Sequence, residues 1–414
     1  MLNTCERIAK IAMQLNPVEL ITPSNAATEK KGVIKAYENG FRINPCFTYQ
    51  KGGLKKAIKA GKELEELCET YKKLAKKYPA TKLGEEQETA VQNIIMSRLI
   101  DALVTYEMAQ AILDGNDGTL ASLSVEKYGR PTCEMINQAY DAATEEAEEI
   151  APAFDAETIK CLKSQEFDAG EIQFYFENVL SLYSIDDWLV VLDDKATAID
   201  VRDKNLTGRP MVVIPVNRKV NGMKLLELIG HEIECHLRSS ENSRHFWSQI
   251  LTREYQPLVP LLAKSDNEFL YEGYAKQNDV RVTGSDAIPT PNYLIAMDQA
   301  RRGESFVSTF ETIAGFEIQK GVEPKKAYNK AWTATYRVFR GCTYTSNDVV
   351  DGGYAFTKDF AYFGGYRMVS ADDHLDFSSM SLKDIIKLEE AHIPLEPHYE
   401  HKWICLDPWR IGLL

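Results

Sequence analysis

The stretch GHEIECHLRSSEN, beginning at position 230, constrains this chain more than any other. His231 and His236 bracket Glu232 in the manner of a metal-binding helix, yet they stand at i and i+5. An α-helix turns about 100° per residue, so a spacing of four leaves two side chains roughly 40° apart and a spacing of five roughly 140°. A regular helix therefore cannot aim both imidazoles at one point. A π-bulge absorbs the additional residue and realigns them, and such bulges concentrate at functional sites. A helix ending near Cys235 would also free His236 to turn. The spacing thus predicts a helix that is bulged or broken between Glu232 and His236. The plain alternative is an exposed helix with two unconnected histidines, and a third ligand decides between them.

A catalytic zinc site needs three protein ligands and an open position. All seven histidines lie at or beyond residue 231, so chemistry that needs imidazole must be assembled from the second half. The stretch NEFLYEGYAKQND offers Glu272 and, four residues earlier on the same helical face, Glu268. Pattern alone does not choose between them. Gly273 and Ala275 beside Glu272 would let two helices approach closely. Cys235 reads as a small packed residue, because the position before His236 points elsewhere on a helix.

The chain has 414 residues, of which 44% are hydrophobic, enough for a sizeable core in two or three domains or one elaborated one. No run of eighteen apolar residues exists, so no membrane span is expected. The N-terminus carries Glu6 and reads as a short amphipathic helix, not a secretion signal. A formal charge of −13 argues against a broad nucleic-acid surface, and KKLAKK (72–77) reads as a solvated helix face. The eight cysteines contain no C-x-x-C pair, which fits reduced thiols in a cytoplasm.

Helical periodicity covers 55–79 and 85–114, then a stretch from Pro131 to Ile150 and another over 171–185. The acidic cluster TEEAEEI (144–150) reads as an exposed helix face. WLVVL (188–192) and MVVIPV (211–216) read as strands, with Pro215 placing the second at a sheet edge or strand end. Asn221 is available to cap the helix carrying the histidines. Further helices are expected at 244–254, 256–280, 291–315 and 323–340, and loops with short strands in the Gly- and Tyr-rich tail from 341. The expected fold class is α+β and mainly helical. A helical N-terminal part (1–170) packs on a catalytic part (171–414) with a small β-sheet and the H-E-x-x-x-H helix, and the two may form one compact unit.

GHEIECHLRSSEN and YEGYA resemble the H-E-x-x-x-H and E-G-L-A motifs of the tyrosine carboxypeptidase family, whose animal members are microtubule-associated and whose bacterial members are QEGLA-motif proteins. The resemblance extends to NPCFTY (44–49), KYGRPT (127–132), IDDWLVVL (185–192), RVFRG (337–341) and FTKDFAYFGG (356–365). It departs at Tyr271 and Tyr274, where the family usually has Gln or Glu and Leu, which bears on substrate identity. The resemblance implies a zincin-like metallopeptidase core. It implies one zinc per chain held by His231, His236 and Glu272, with Glu232 as general base, and so selects Glu272 over Glu268.

For the oxyanion of such a reaction the candidate is Tyr362, with Tyr354 and Tyr366 as rivals. A C-terminal carboxylate would be read by Arg340 or Lys358, in the segments resembling the family's R-G and K-D motifs, or by Arg238. Asn242 also matches the family pattern and reads as a local cap or substrate contact. The expected activity is a zinc metallocarboxypeptidase acting on the C-terminus of a peptide or protein, with an aromatic preference. The alternatives are a zinc aminopeptidase or endopeptidase, or a non-catalytic metal-binding regulator. Nothing in the sequence supports tubulin itself, whose tails are acidic like this chain.

Overall fold

The computed structural model describes residues 1–13, 17–145, 149–196, 198–202, 209–263, 268–342, 354–371 and Leu413. Amphipathic spacing in the first part becomes α1 (Leu2–Ala12), α2 (Pro17–Ile21), α3 (Ala26–Glu38), α4 (Lys51–Ala75) and α5 (Glu85–Asp114). Then come α6 (Asp117–Tyr128), α7 (Cys133–Thr144) and α8 (Ala156–Ser164). The acidic cluster expected at 144–150 lies partly outside the described residues.

The middle of the chain is β1 (Glu166–Asp168), α9 (Ala169–Leu182), β2 (Leu189–Asp193), β3 (Asp200–Arg202), β4 (Met211–Pro215) and β5 (Lys219–Asn221). A capping box starts α9: Asp168 accepts from the backbone of Glu171, whose side chain accepts from the Asp168 amide. Strands β1 and β5 pair antiparallel. In the second sheet β4 is central, parallel to β2 and antiparallel to β3. Of the two positions expected for Pro215, a sheet edge or a strand end, the strand end is the one found. Pro215 is tolerated because it is the last residue of the strand, where a missing amide donor costs least.

Helix α10 (Gly222–Leu228) is capped by Asn221, whose Oδ1 accepts from the Lys224 amide at 2.8 Å. It runs directly into a π-helix (Ile229–Leu237) and on into α11 (Arg238–Ile250). Then come α12 (Val259–Ala263), α13 (Glu268–Thr283), α14 (Asn292–Arg301), α15 (Phe306–Gln319), α16 (Pro324–Val338) and α17 (Phe360–Ala371). The pattern expected as one helix over 291–315 is two, because Gly303 turns with φ +85° and Ser305 caps α15 through the Ser308 amide. In the tail, where loops and short strands are expected, residues 354–357 are irregular and α17 follows, while most of the remainder lies outside the described residues. Among the described residues no helix is long and apolar enough to cross a membrane.

Two buried apolar clusters underlie this arrangement. One joins the N-terminal helices, through residues such as Leu64 and Leu99, to Trp247, Phe306 and Phe360 in the later helices. The other packs α8, α9 and the strands against Leu226, Ile229, Ile233 and Leu237. The long helix that carries both histidines therefore has its π segment in the second core and its far end, at Trp247 and Ile250, in the first. Gly273 does permit a close helix approach, though its partner is α17 and not the histidine helix. A Cβ at Gly273 would stand 2.5 Å from the Gly365 carbonyl carbon.

Gly273→Val should therefore lower the stability of the ion-free protein by about 1–3 kcal/mol, since backbone cannot yield to the added methyls. Gly32→Ala, in an open helical position with nothing within 4 Å, should be neutral or stabilising. Urea unfolding of both variants checks this; an unchanged midpoint for Gly273→Val would contradict the crossing.

Candidate metal centre

The extra residue between the histidines is accommodated as the spacing demands. Backbone bonding from i to i+5 across Ile229–Leu237 brings the His231 and His236 rings side by side, centroids 5.0 Å apart. Helix α13 then supplies Glu272. Its Oε2 lies 3.7 Å from His231 Nε2 and 4.0 Å from His236 Nε2. One ligand atom from each of the three lies within 4.8 Å of the others, a spread that an ion could close. The Glu268 side chain lies outside the described part, so Glu272 is placed without a comparison between the two.

The Glu272 carboxylate is buried, and its Oε2 has no hydrogen-bond partner among the described residues. An orphaned buried carboxylate oxygen facing two imidazoles is costly without a cation and satisfied with one. Two imidazoles with one carboxylate form a donor set that suits a divalent transition ion. His236 is held neutral: burial, helped by the charges of His231 and Lys358, pushes its pKa down to about 3. For His231, burial disfavours the cation, but the hydrogen bond and charge of Asp279 outweigh it and raise the pKa to about 9.

That Asp279 contact completes the geometry. His231 Nδ1 lies 3.1 Å from Asp279 Oδ2, which leaves Nε2 directed at the ion position. Lys276 Nζ donates to the same oxygen at 2.6 Å. On α13 the positions 272, 276 and 279 share a face, so one helix delivers the carboxylate ligand, a cation and the group that orients His231. Asn278 adds a tie between the helices, donating from Nδ2 to the Gly230 carbonyl at 2.9 Å. Cys235 Sγ donates to the Tyr271 carbonyl at 3.4 Å and is a packing contact between the same two helices.

Glu232 sits beside His231. Burial pushes its pKa up to about 7, with His231 opposing and Glu272 adding to the rise. Tyr362 lies close to the centre: burial and the Glu272 charge raise its pKa, and its hydroxyl accepts from Arg337 Nη2 at 3.3 Å. Tyr354 is buried, with its hydroxyl donating to the Arg340 carbonyl, and Tyr366 is buried in α17.

The four residues expected to touch substrate fall in different settings. Arg340 is buried, with Nη2 on Asp359 Oδ2 at 2.8 Å. Arg238 is buried against Glu234 and stacks over the Tyr183 ring at 4.5 Å. Lys358 is half-buried, and its charge reaches His236. Asn242 lies on α11, one helix segment beyond His236, with a buried Nδ2 that lacks a partner among the described residues. Asp279, Lys276 and Arg337 are what sequence reasoning overlooked at this centre. Arg337 pairs with Asp359 Oδ1 at 2.7 Å, lies over the Tyr293 and Tyr362 rings, and its charge acts on Glu272. The spacing of seven between Glu272 and Asp279 was a usable signal, because it returns a carboxylate to the ligand's face.

Residues 292–388 match the family model described as Microtubule-associated tyrosine carboxypeptidase, the family that the motifs resemble. The match covers α14 to α17, hence Arg337, Arg340, Lys358, Asp359 and Tyr362, while the three candidate ligands precede it. No curated protein matches the chain.

With the His231 pKa raised to about 9 and that of Glu232 to about 7, metal uptake at pH 7 should release between one and two protons, and affinity should fall as pH falls. Asp279→Ala should weaken metal binding by about 10–100-fold. Calorimetric titration with Zn²⁺ in buffers of different ionisation enthalpy measures both, and an unchanged affinity in the variant would remove Asp279 from this role.

Proposed function

We propose that this protein is a zinc-dependent carboxypeptidase that hydrolyses the C-terminal peptide bond of a peptide or protein, with a preference for an aromatic terminal residue. The observation that carries the reading is the convergence of His231, His236 and the orphaned Glu272 oxygen, with Glu232 next to them on the π-helix. A metal helix, a companion helix bearing the third ligand and a small mixed sheet are what a zincin-like core requires. The family match over α14 to α17 supports the peptidase chemistry. The tyrosine carboxypeptidase activity of that family fits this site, whereas a net charge of −13 opposes an acidic tubulin tail.

His231, His236 and Glu272 would hold the zinc, with Asp279 orienting His231. When bound, zinc supplies Lewis acidity that polarises a carbonyl and acidifies water. Glu232 takes a proton from the attacking water as the water oxygen bonds to the carbonyl carbon, and returns it to the amine nitrogen as the C–N bond breaks. A cation at the triad lowers the Glu232 pKa, so the group is a carboxylate at neutral pH. Tyr362, whose phenol burial keeps protonated, donates to the oxygen that gains charge in the transition state.

Substrate binding follows from the charges around the centre. Lys358, whose charge acts on His236, is the cation we assign to a terminal carboxylate. Arg337 and Arg340 share the single carboxylate of Asp359, which leaves the wall one net positive charge. Arg238 supports the π-helix through Glu234. Asn242 offers its spare donor to a substrate carbonyl. The Tyr293 and Tyr362 rings, 5.8 Å apart, form an aromatic wall for the departing side chain.

The purified protein should carry one zinc, and Glu232→Gln should keep it while lowering kcat by at least about 10²–10⁴-fold. Peptides ending in tyrosine should be shortened by one residue as free acids and left intact as C-terminal amides. Equal cleavage of both forms would favour an aminopeptidase or endopeptidase. Full activity in Glu232→Gln would defeat the mechanism.

A further inference from the structure

Three helices meet around one guanidinium: α14 brings Tyr293, α16 brings Arg337 and α17 brings Tyr362. Arg337 clasps the buried Asp359 carboxylate, Nε on Oδ2 at 3.1 Å and Nη2 on Oδ1 at 2.7 Å. That two-point grip fixes the plane of the fork. Its other N–H groups reach the phenols. Nη1 donates to the Tyr293 hydroxyl and Nη2 to the Tyr362 hydroxyl, each at 3.3 Å. The guanidinium carbon also lies 5.2 Å from the Tyr293 ring centroid and 5.3 Å from that of Tyr362.

A guanidinium has five N–H donors and no acceptor, so a phenol bonded to it can only receive. Each hydroxyl hydrogen must therefore point away from Arg337. Lys276 also flanks Tyr362, with Nζ 5.9 Å from the ring centroid, and an ammonium is equally unable to accept. Among the described residues no atom takes the Tyr362 hydrogen. The surroundings of this phenol are those of the metal centre. Lys276 bonds to Asp279, the carboxylate on His231. Gly273, next to Glu272, meets Gly365, three residues beyond Tyr362 on α17.

We infer that Arg337 is a positioning residue: by holding the phenol oxygen as an acceptor, it turns the Tyr362 hydrogen toward the substrate oxygen that gains charge as water adds. Lysine could not replace it, because one rigid plane must clasp Asp359 and reach two hydroxyls together. The inference rests on the carboxypeptidase reading and goes beyond it by naming what aims the phenol.

The probe is a peptide phosphonate ending in tyrosine, whose tetrahedral P–O⁻ stands for the charged oxygen, bound to the zinc-loaded protein and followed by calorimetry. The control is the ordinary tripeptide bound to zinc-loaded Glu232→Gln. Arg337→Lys keeps a positive charge beside Asp359. It should weaken the phosphonate by about tenfold or more and the tripeptide by less than about twofold. Tyr362→Phe should weaken the phosphonate at least as much, and adding Arg337→Lys to it should cause no further loss. A second variant, Arg337→Gln with Asp359→Asn, removes one charge of each sign and so leaves no buried carboxylate short of a partner. It should show the same pattern. The same loss from Arg337→Lys with and without the Tyr362 hydroxyl would overturn the inference. So would equal losses for phosphonate and tripeptide, undiminished phosphonate binding in any of these variants, or no phosphonate binding by the parent. The carboxypeptidase reading fails separately: a protein that shows this pattern but shortens no peptide would end that reading and leave the aimed phenol standing.

Discussion

The centre depends on one backbone irregularity. The histidines stand five positions apart, and i→i+5 bonding turns both imidazoles toward Glu272. Such a segment is less favourable than an α-helix and must be held by its surroundings. Here Ile229, Ile233 and Leu237 are anchored in the strand-side core, Asn278 holds the Gly230 carbonyl, and regular helix continues on both sides. The irregular segment is therefore clamped at each end and from the flank.

The same requirement explains the burial of so many charges around it. Glu232, Glu272 and Asp279 lie close together, and the charges of Glu272 and Asp279 raise the cost of ionising Glu232. Lys276, Arg337 and a cation at the triad offset that cost. Asp359 in turn holds Arg337 and Arg340, so the positive wall is itself braced. Helix α13 makes this compact by carrying Glu272, Lys276 and Asp279 on one face, while Gly273 lets α17 press against its back.

Much of the helical framework was legible because apolar spacing and caps are local. The pattern over 85–114 became α5 with the same limits, and Asn221 caps the helix it was expected to cap. Where expectations differed, the deciding contacts were long-range. The Gly- and Tyr-rich tail suggested loops and short strands; within it α17 forms from Phe360 onward, packed where Gly365 meets Gly273. MVVIPV became a central strand because β3, too short to announce itself in sequence, pairs with it.

At the candidate site the sequence by itself determined the essential ligand types. Two histidines at i and i+5 demanded a bulged or broken helix, and YEGYA presented Glu272 on a helical face with Glu268 as its rival. Those statements follow from helix geometry, which is a local property. Only the tertiary structure decided which distant charges attend the ligands: Asp279 on His231, Lys358 on His236, and Arg337 beside Tyr362. It also diverted Arg340 and Arg238 into buried ion pairs. A charged residue looks the same in sequence whether it meets a substrate or an internal carboxylate. Its neighbours, drawn from α13, α14, α16 and α17, are brought together only when the helices pack.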